Sequence, residues 1–93
     1  MRKYELMVVF PLEEDQFKTG AEGVRKVLAD FGAQIVSEEP YGDRDLTYEI
    51  KKRNRGRYVL FTITASPDKI VEMDRQFKLN TNLLTFLFVR VEE

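Results

Sequence analysis

The stretch "EIKKRNRGRYVLFTIT", residues 49–64, holds the densest group of side chains that could do chemistry in this sequence. Five cations fall within seven residues, with no anion between them. They are Lys51, Lys52, Arg53, Arg55 and Arg57. Cations this close repel one another, and phosphate groups would neutralise them. Tyr48 and Tyr58 flank the group, where their rings could stack on an unpaired base. The stretch predicts an RNA-contacting surface, with a solvated turn as the alternative.

A second, smaller basic point lies at the start of the chain, where Arg2 and Lys3 precede an apolar run. A solvated strand start is the alternative here. If the protein contacts about three phosphates, its RNA affinity should fall about 40-fold when the salt concentration rises from 50 to 200 mM. We therefore expect weak RNA binding by the protein alone, and stronger binding with a partner that extends the site.

The composition lacks several of the side chains on which enzymes most often rely. The chain has no cysteine and no histidine, which removes thiolates, disulfides and the commonest acid/base group and metal ligand. The loop "FPLEED" after the first apolar run would repel an anion, and no glycine-rich phosphate loop occurs elsewhere. Neighbouring acids are interpreted as solvated or as local compensation for an arginine. They are Glu13 and Glu14, Glu38 and Glu39, and Asp43 and Asp45 around Arg44. We expect no enzymatic activity, metal site, cofactor or small-molecule substrate.

The same sequence gives expectations about location. The longest apolar runs fall well short of the roughly 18 to 20 residues that span a bilayer, so no membrane association is expected. A strand-like pattern begins by Tyr4, which leaves no room for a signal peptide. We expect a cytoplasmic protein.

Two periodicities alternate along the chain and define the elements that must position these residues. Residues 4–10 alternate with period two, which predicts a strand, and apolar residues at spacings of three and four over residues 17–31 predict a helix. A long second strand, bent around residues 40–42, should lead into a turn at Arg53–Gly56, where Asn54 and Gly56 are typical turn residues. A third strand follows to Thr64.

Ser66 and Pro67 then predict the start of a second helix, and residues 83–91 a last strand that is apolar on both faces. Two amphipathic helices returning over one side must cover one face of a four-stranded antiparallel sheet. The expected architecture is α+β, a ferredoxin-like βαββαβ sandwich formed by one domain over residues 1–93. This fold hosts many functions and defines none.

The uncovered face of the sheet is predicted to bind a protein partner. On the third strand Val59, Phe61 and Ile63 should face the core, which turns the intervening residues outward. The residues expected to contact the partner are Tyr48, Tyr58, Leu60 and Thr62. Scattered apolar surface residues are also normal, which is the alternative. Base stacking on this face is not expected, because "RGRYVLFT" matches the RNA-recognition motif only at Arg55 and Gly56.

Three segments of the chain match a known family in order and spacing. They are "MRKYELMVV", "GDRDLTYEIKKRNRGRYVLFTI" and "FKLNTNLLTFLFVRVEE". Over its whole length the chain resembles the S6 family of bacterial small-subunit ribosomal proteins. The resemblance implies a ferredoxin-like, non-enzymatic protein that forms a heterodimer with ribosomal protein S18. It also implies binding to the central domain of small-subunit ribosomal RNA during assembly. The family's basic RNA contacts fall here on Arg2, Arg44 and Lys52, and more loosely on the arginines of residues 53–57.

Two positions depart from the family pattern, since Asp45 and Thr85 stand where basic residues are common in the family. We hypothesise that Arg53, Arg55 and Arg57 compensate for them. The alternative function is a small-ligand-binding regulatory domain of the same fold that forms homo-oligomers, and a hydrolase is a more remote one. The residues expected to contact RNA are Arg2, Lys3, Arg44, Lys51, Lys52, Arg53, Arg55 and Arg57.

Overall fold

The computed structural model describes residues 1–91, in which four strands form one antiparallel sheet. The elements are β1 (Arg2–Phe10), α1 (Glu14–Asp30), β2 (Gln34–Ile50), β3 (Arg53–Ala65), a 3-10 turn (Pro67–Lys69), α2 (Ile70–Lys78) and β4 (Thr85–Arg90). The strand order is β2-β3-β1-β4, and both helices pack on one face of the sheet. The predicted ferredoxin-like α+β fold is confirmed.

The core lies between the helices and the sheet face that the period-two pattern assigned to it. Leu6 and Phe61 are fully buried there, beneath Leu28 of α1 and Met73 of α2. Each large apolar side chain buried in this way contributes about 1.5 to 3 kcal/mol to folding. The apolar spacing in both helices follows from this packing.

The facing of β4 is set by an aromatic cluster. Phe86 and Phe88 turn toward α2, with ring centres 5.4 and 5.8 Å from that of Phe77. Leu87 and Val89 consequently lie on the opposite face, where they are 62% and 46% exposed. A strand that is apolar on both sides thus packs its phenylalanines, half-buried, against the core and leaves its aliphatic residues uncovered.

Gly20 lets the segment before β4 lie directly on α1. A Cβ atom at this position would lie 2.5 Å from the carbonyl oxygen of Asn82. The Asn80 amide nitrogen donates to the Gly20 carbonyl at 3.4 Å, and its Oδ1 accepts from the Asn82 backbone N–H at 2.9 Å. Glycine lowers helix propensity by roughly 1 kcal/mol, and here it permits this close contact.

The turn between β2 and β3 lies at Lys51–Lys52, so the predicted turn at Arg53–Gly56 is wrong. Ile50 pairs with Arg53, and both lysines have positive φ, 50° and 64°, as a tight two-residue hairpin turn requires. Gly56 lies inside β3 instead. A Cβ atom there would overlap Val9 Cγ1 and lie 3.3 Å from Leu84 Cδ1. Glycine is therefore needed here for close packing.

β2 is an irregular edge strand. The predicted bend at residues 40–42 is confirmed by a register shift between Pro40 and Gly42. Apolar and polar residues alternate over residues 45–51, which would indicate a regular strand, but in the structure residues 46–49 bulge out opposite the single residue Asn54. Tyr48 lies in this bulge and is 74% exposed.

Candidate RNA and protein interface

The basic stretch is divided between two places in the structure. We call residues 43–57 the hairpin arm. Arg53, Arg55 and Arg57 continue the face of β3 that carries Val59, and so lie on the helix side of the sheet. Lys51 and Lys52 form the turn at the end of the arm. The five cations therefore do not form a single exposed group.

The arginines at the far end of the arm are bound to carboxylates. Arg53 Nη2 lies 3.2 Å from Glu13 Oε2, next to the amino end of α1, and donates to Gln16 Oε1 at 3.2 Å. Arg55 Nε lies 3.1 Å from Oδ1 of Asp45 on the paired strand. Carboxylates of the protein itself thus neutralise this part of the stretch.

Arg57 has the most extensive contacts of the three. Its Nε donates to Asp43 Oδ1 at 3.0 Å, and its Nη1 donates to Glu14 Oε1 at 2.9 Å. The guanidinium carbon lies 4.7 Å from the ring centre of Phe17. The hydrogen bond to Asp43, followed by the one to Glu14, raises the pKa of Arg57 above its ordinary value. Arg57 therefore stays charged and fixed between α1 and β2.

The acids of the sequence have partners that the pattern did not predict. Asp43 and Asp45 compensate the β3 arginines, so the interpretation that they compensate Arg44 is wrong. Glu38, interpreted as solvated, accepts two hydrogen bonds from Arg25 Nε and one from Nη2. This contact raises the pKa of Arg25. A signal was present in the sequence: Asp43 and Asp45 have the same period-two spacing as Arg55 and Arg57 across the hairpin.

Arg44 lies on the other side of the arm, opposite Gly56. Its Nε donates to the Tyr41 carbonyl at 3.1 Å, and its guanidinium carbon lies 5.6 Å from the Tyr41 ring centre. At the turn, Lys51 Nζ donates to the Leu83 carbonyl at 2.8 Å, and Lys52 is exposed. Within residues 1–91, none of Arg44, Lys51 and Lys52 makes a salt bridge.

Arg2 and Lys3 lie at the opposite end of the sheet. Arg2 pairs with Ala65, whereas the arm begins beyond the Phe10–Arg57 pair. At about 3.3 Å per residue, the length of β1 separates the two basic regions by roughly 26 Å. The structure therefore does not bring them together, although both residues are exposed and make no salt bridge in the described part of the chain.

The sheet face away from the helices, here called the open face, is apolar at its centre. Met7 of β1 pairs with both Leu60 of β3 and Leu87 of β4, which forms a row across three strands. A shallow depression of about 370 Å³ lies beside this row. It is lined by Met7, Val9, Tyr58, Thr85, Phe86 and Leu87.

Three of the four residues predicted to contact a protein partner lie on the open face. Tyr58 and Thr62 are half-buried, and Leu60, at 8% exposed, lies close beneath the surface between its strand neighbours. Tyr48 does not join them because it lies in the bulge of β2. Leu87, whose facing the sequence left open, also lies on the open face and is more exposed there than Tyr58, Leu60 or Thr62.

Other chemistry finds little support in the described residues. No three carboxylates among residues 1–91 are grouped as a metal site would require. No helix in that part of the chain is both long and apolar enough to cross a membrane.

The fold and this site together define a small α+β protein of the ferredoxin-like class, with one open sheet face and a basic hairpin. The family model of ribosomal protein S6 matches residues 3–90. The chain belongs to the ribosomal protein S6 family, which confirms the resemblance found in its sequence.

Individual relatives agree with this assignment. The chain is 62% identical to small ribosomal subunit protein bS6 of Treponema denticola, over the full length of both. It is 47% identical to the protein of the same name from Treponema pallidum, over 99% of each. The crystal structure of 30S ribosomal protein S6 from Thermotoga maritima superposes with a TM-score of 0.85 at 24% identity, covering 97% of this chain and 87% of that one.

Family membership makes the chain a protein of the small ribosomal subunit, and its location is the ribosome in the cytoplasm. The relatives carry the name of a small ribosomal subunit protein, which is not the name of an enzyme.

Proposed function

We propose that this chain is a non-catalytic structural component of the small ribosomal subunit that binds the central domain of its RNA together with ribosomal protein S18. The observation that best supports this is the position of Arg44. It lies opposite Gly56, and the next pair on the same face is Gly42 with Tyr58. A cation without a carboxylate partner in residues 1–91 thus adjoins the open face. A protein docked on that face would extend the RNA site.

The protein partner is proposed to cover the apolar row of the open face. Leu87 and Val89 are largely exposed, and Met7 and Tyr58 lie beside them. Full burial of each large apolar side chain contributes about 1.5 to 3 kcal/mol before the costs of association. Four such residues would together contribute several kcal/mol before the costs of association.

The RNA is proposed to contact the cations that make no salt bridge among residues 1–91. Arg44, Lys51 and Lys52 form one such region, and Arg2 and Lys3 form a second at the other end of the sheet. Phosphate contacts of this kind position RNA without reading its sequence. Specificity then has to come from the shape of the folded RNA and from the shared surface with the partner.

The proposal is tested by measuring binding to a central-domain RNA fragment between 50 and 200 mM salt, with and without ribosomal protein S18. We expect weak binding alone that falls about 40-fold over this range for about three phosphate contacts, and tighter binding with S18. Arg44→Gln should weaken binding, whereas Arg75→Gln, an exposed arginine of α2 without a salt bridge in residues 1–91, should not. Tight, salt-insensitive binding by the protein alone would contradict the shared site. A homodimer that binds a small anion would indicate a regulatory domain instead.

A further inference from the structure

The side of the arm that faces α1, taken together with the first turn of α1, carries more negative than positive charge. Its three arginines, Arg53, Arg55 and Arg57, contact four carboxylates. These belong to Glu13, Glu14, Asp43 and Asp45. A phosphate approaching this side would meet a set of charges that is already over-compensated, and would be repelled.

The contacts of Arg57 also make it costly for this residue to exchange its carboxylate partners for a phosphate. Its side chain is only 23% exposed, and its guanidinium is held by two carboxylates and the Phe17 ring. To bind a phosphate, Arg57 would have to leave all three. Arg53, at 30% exposed, is similarly held by Glu13 and Gln16.

The arm needs such contacts because little else fixes its position. β1 ends at the Phe10–Arg57 pair, so residues 53–56 have only β2 as a strand partner. A two-stranded ribbon is marginally stable in water without further packing. The arginine contacts to α1, together with the hydrogen bond from Lys51 to Leu83, decide where the end of the arm lies.

We infer that Arg53, Arg55 and Arg57 are positioning residues: they join the two strands of the hairpin arm and fasten the arm to the first turn of α1, and thereby place Arg44 and Lys52 for contact with RNA phosphate. The inference rests on the proposed function, and it divides the basic residues of the arm into those that contact RNA and those that position the arm. It also changes the interpretation of Asp45. This residue is the partner of Arg55, so the arginines do not make up for its negative charge by binding phosphate.

The first test compares salt dependence of RNA binding in the complex with ribosomal protein S18. Replacing a phosphate-contacting cation lowers the slope of log affinity against log salt by about one. Arg44→Gln and Lys52→Gln should each do so. Arg53→Gln and Arg57→Gln should weaken affinity while leaving the slope unchanged. A slope lowered by about one in either of these two variants would overturn the inference. Failure of the wild-type complex to bind RNA with salt dependence would instead overturn the proposed function.

The second test uses a charge swap. Arg53→Glu should weaken RNA binding, and adding Glu13→Arg should restore most of the lost affinity, because the contact to α1 is rebuilt with reversed charges. No restoration in the double variant would contradict a positioning role.

A third measurement needs no RNA, and it distinguishes the loss of the arm contacts from misfolding of the whole variant. The most protected amides of residues 53–56 should exchange at least about fivefold faster in Arg57→Gln, which corresponds to a loss of roughly 1 kcal/mol of local stability. The β1 amides should not change. Arm amides that exchange at the wild-type rate in this variant would show that Arg57 does not hold the arm.

Discussion

The guanidinium carbon of Arg57 lies 4.7 Å from the ring centre of Phe17, which joins the hairpin arm to the first turns of α1. Phe17 in turn packs edge-on against Phe10, with ring centres 5.1 Å apart. The arginine therefore connects a surface ion pair to the edge of the core.

This contact predicts that Arg57→Lys destabilises the protein although the charge is kept. A lysine cannot reach Asp43 and Glu14 together, and it stacks less well on an aromatic ring. We expect a loss of about 1 kcal/mol in the free energy of unfolding, measured by urea denaturation. Arg55→Lys is the matched control, because its only carboxylate partner in residues 1–91, Asp45, is 87% exposed. Equal effects of the two substitutions would contradict the prediction.

Gly56→Ala is predicted to destabilise the protein by about 1 to 3 kcal/mol, the usual cost of overpacking. The added methyl group would overlap Val9 and press on Leu84. Asn54→Ala, at an exposed position two residues earlier in β3, should change stability by less than about 0.5 kcal/mol. Thermal and urea unfolding of both variants would check this, and a neutral Gly56→Ala would show that the packing at Val9 is looser than described.

Asn80→Ala is predicted to cost about 1 to 2 kcal/mol, since it removes hydrogen bonds to the Gly20 carbonyl and from the Asn82 N–H. The neighbouring exposed residue gives the control, because Thr81→Ala leaves both of these bonds intact. Chemical denaturation would measure the difference. If the two variants unfold at the same urea concentration, the Asn80 side chain does not hold this segment on α1.

Leu87→Glu is predicted to weaken binding of ribosomal protein S18 at least about tenfold, while the isolated protein keeps its stability within about 0.5 kcal/mol. Leu87 is 62% exposed on the open face, so the free protein tolerates a charge there. Val71→Glu is the control, since Val71 is 66% exposed on α2. Titration calorimetry would compare the two. A larger effect at Val71 would indicate that the helix side is the docking surface.

The sequence predicts the fold well because its periodicities are strong. The period-two run of β1 and the apolar spacing of α1 leave one arrangement of core faces, and Leu6, Val8 and Leu28 are buried as expected. β4 is different, since its unbroken apolar run at residues 86–89 has no period. Its facing is set by the Phe77–Phe86 contact with α2, which depends on tertiary packing.

The hairpin arm shows why local patterns could not predict the site. Asn54 and Gly56 have the composition of a turn, but Gly56 is required by Val9 and Leu84, which are distant in the chain. The true turn uses two lysines in a conformation that lysine rarely adopts. Once the turn is displaced, the register and the partners of every arginine change with it.

The strand order β2-β3-β1-β4 has a consequence for how the chain is made. β1 is the first of the four strands to be synthesised, but both of its neighbours come later, and β4 emerges after the other three. A growing chain can close the β2–β3 hairpin early, whereas one edge of β1 stays open until α2 and β4 have been made. Pairings over such long sequence separations form slowly. The sheet of this ribosomal protein is therefore expected to lack its β4 edge until more than twenty residues beyond β3 have been synthesised.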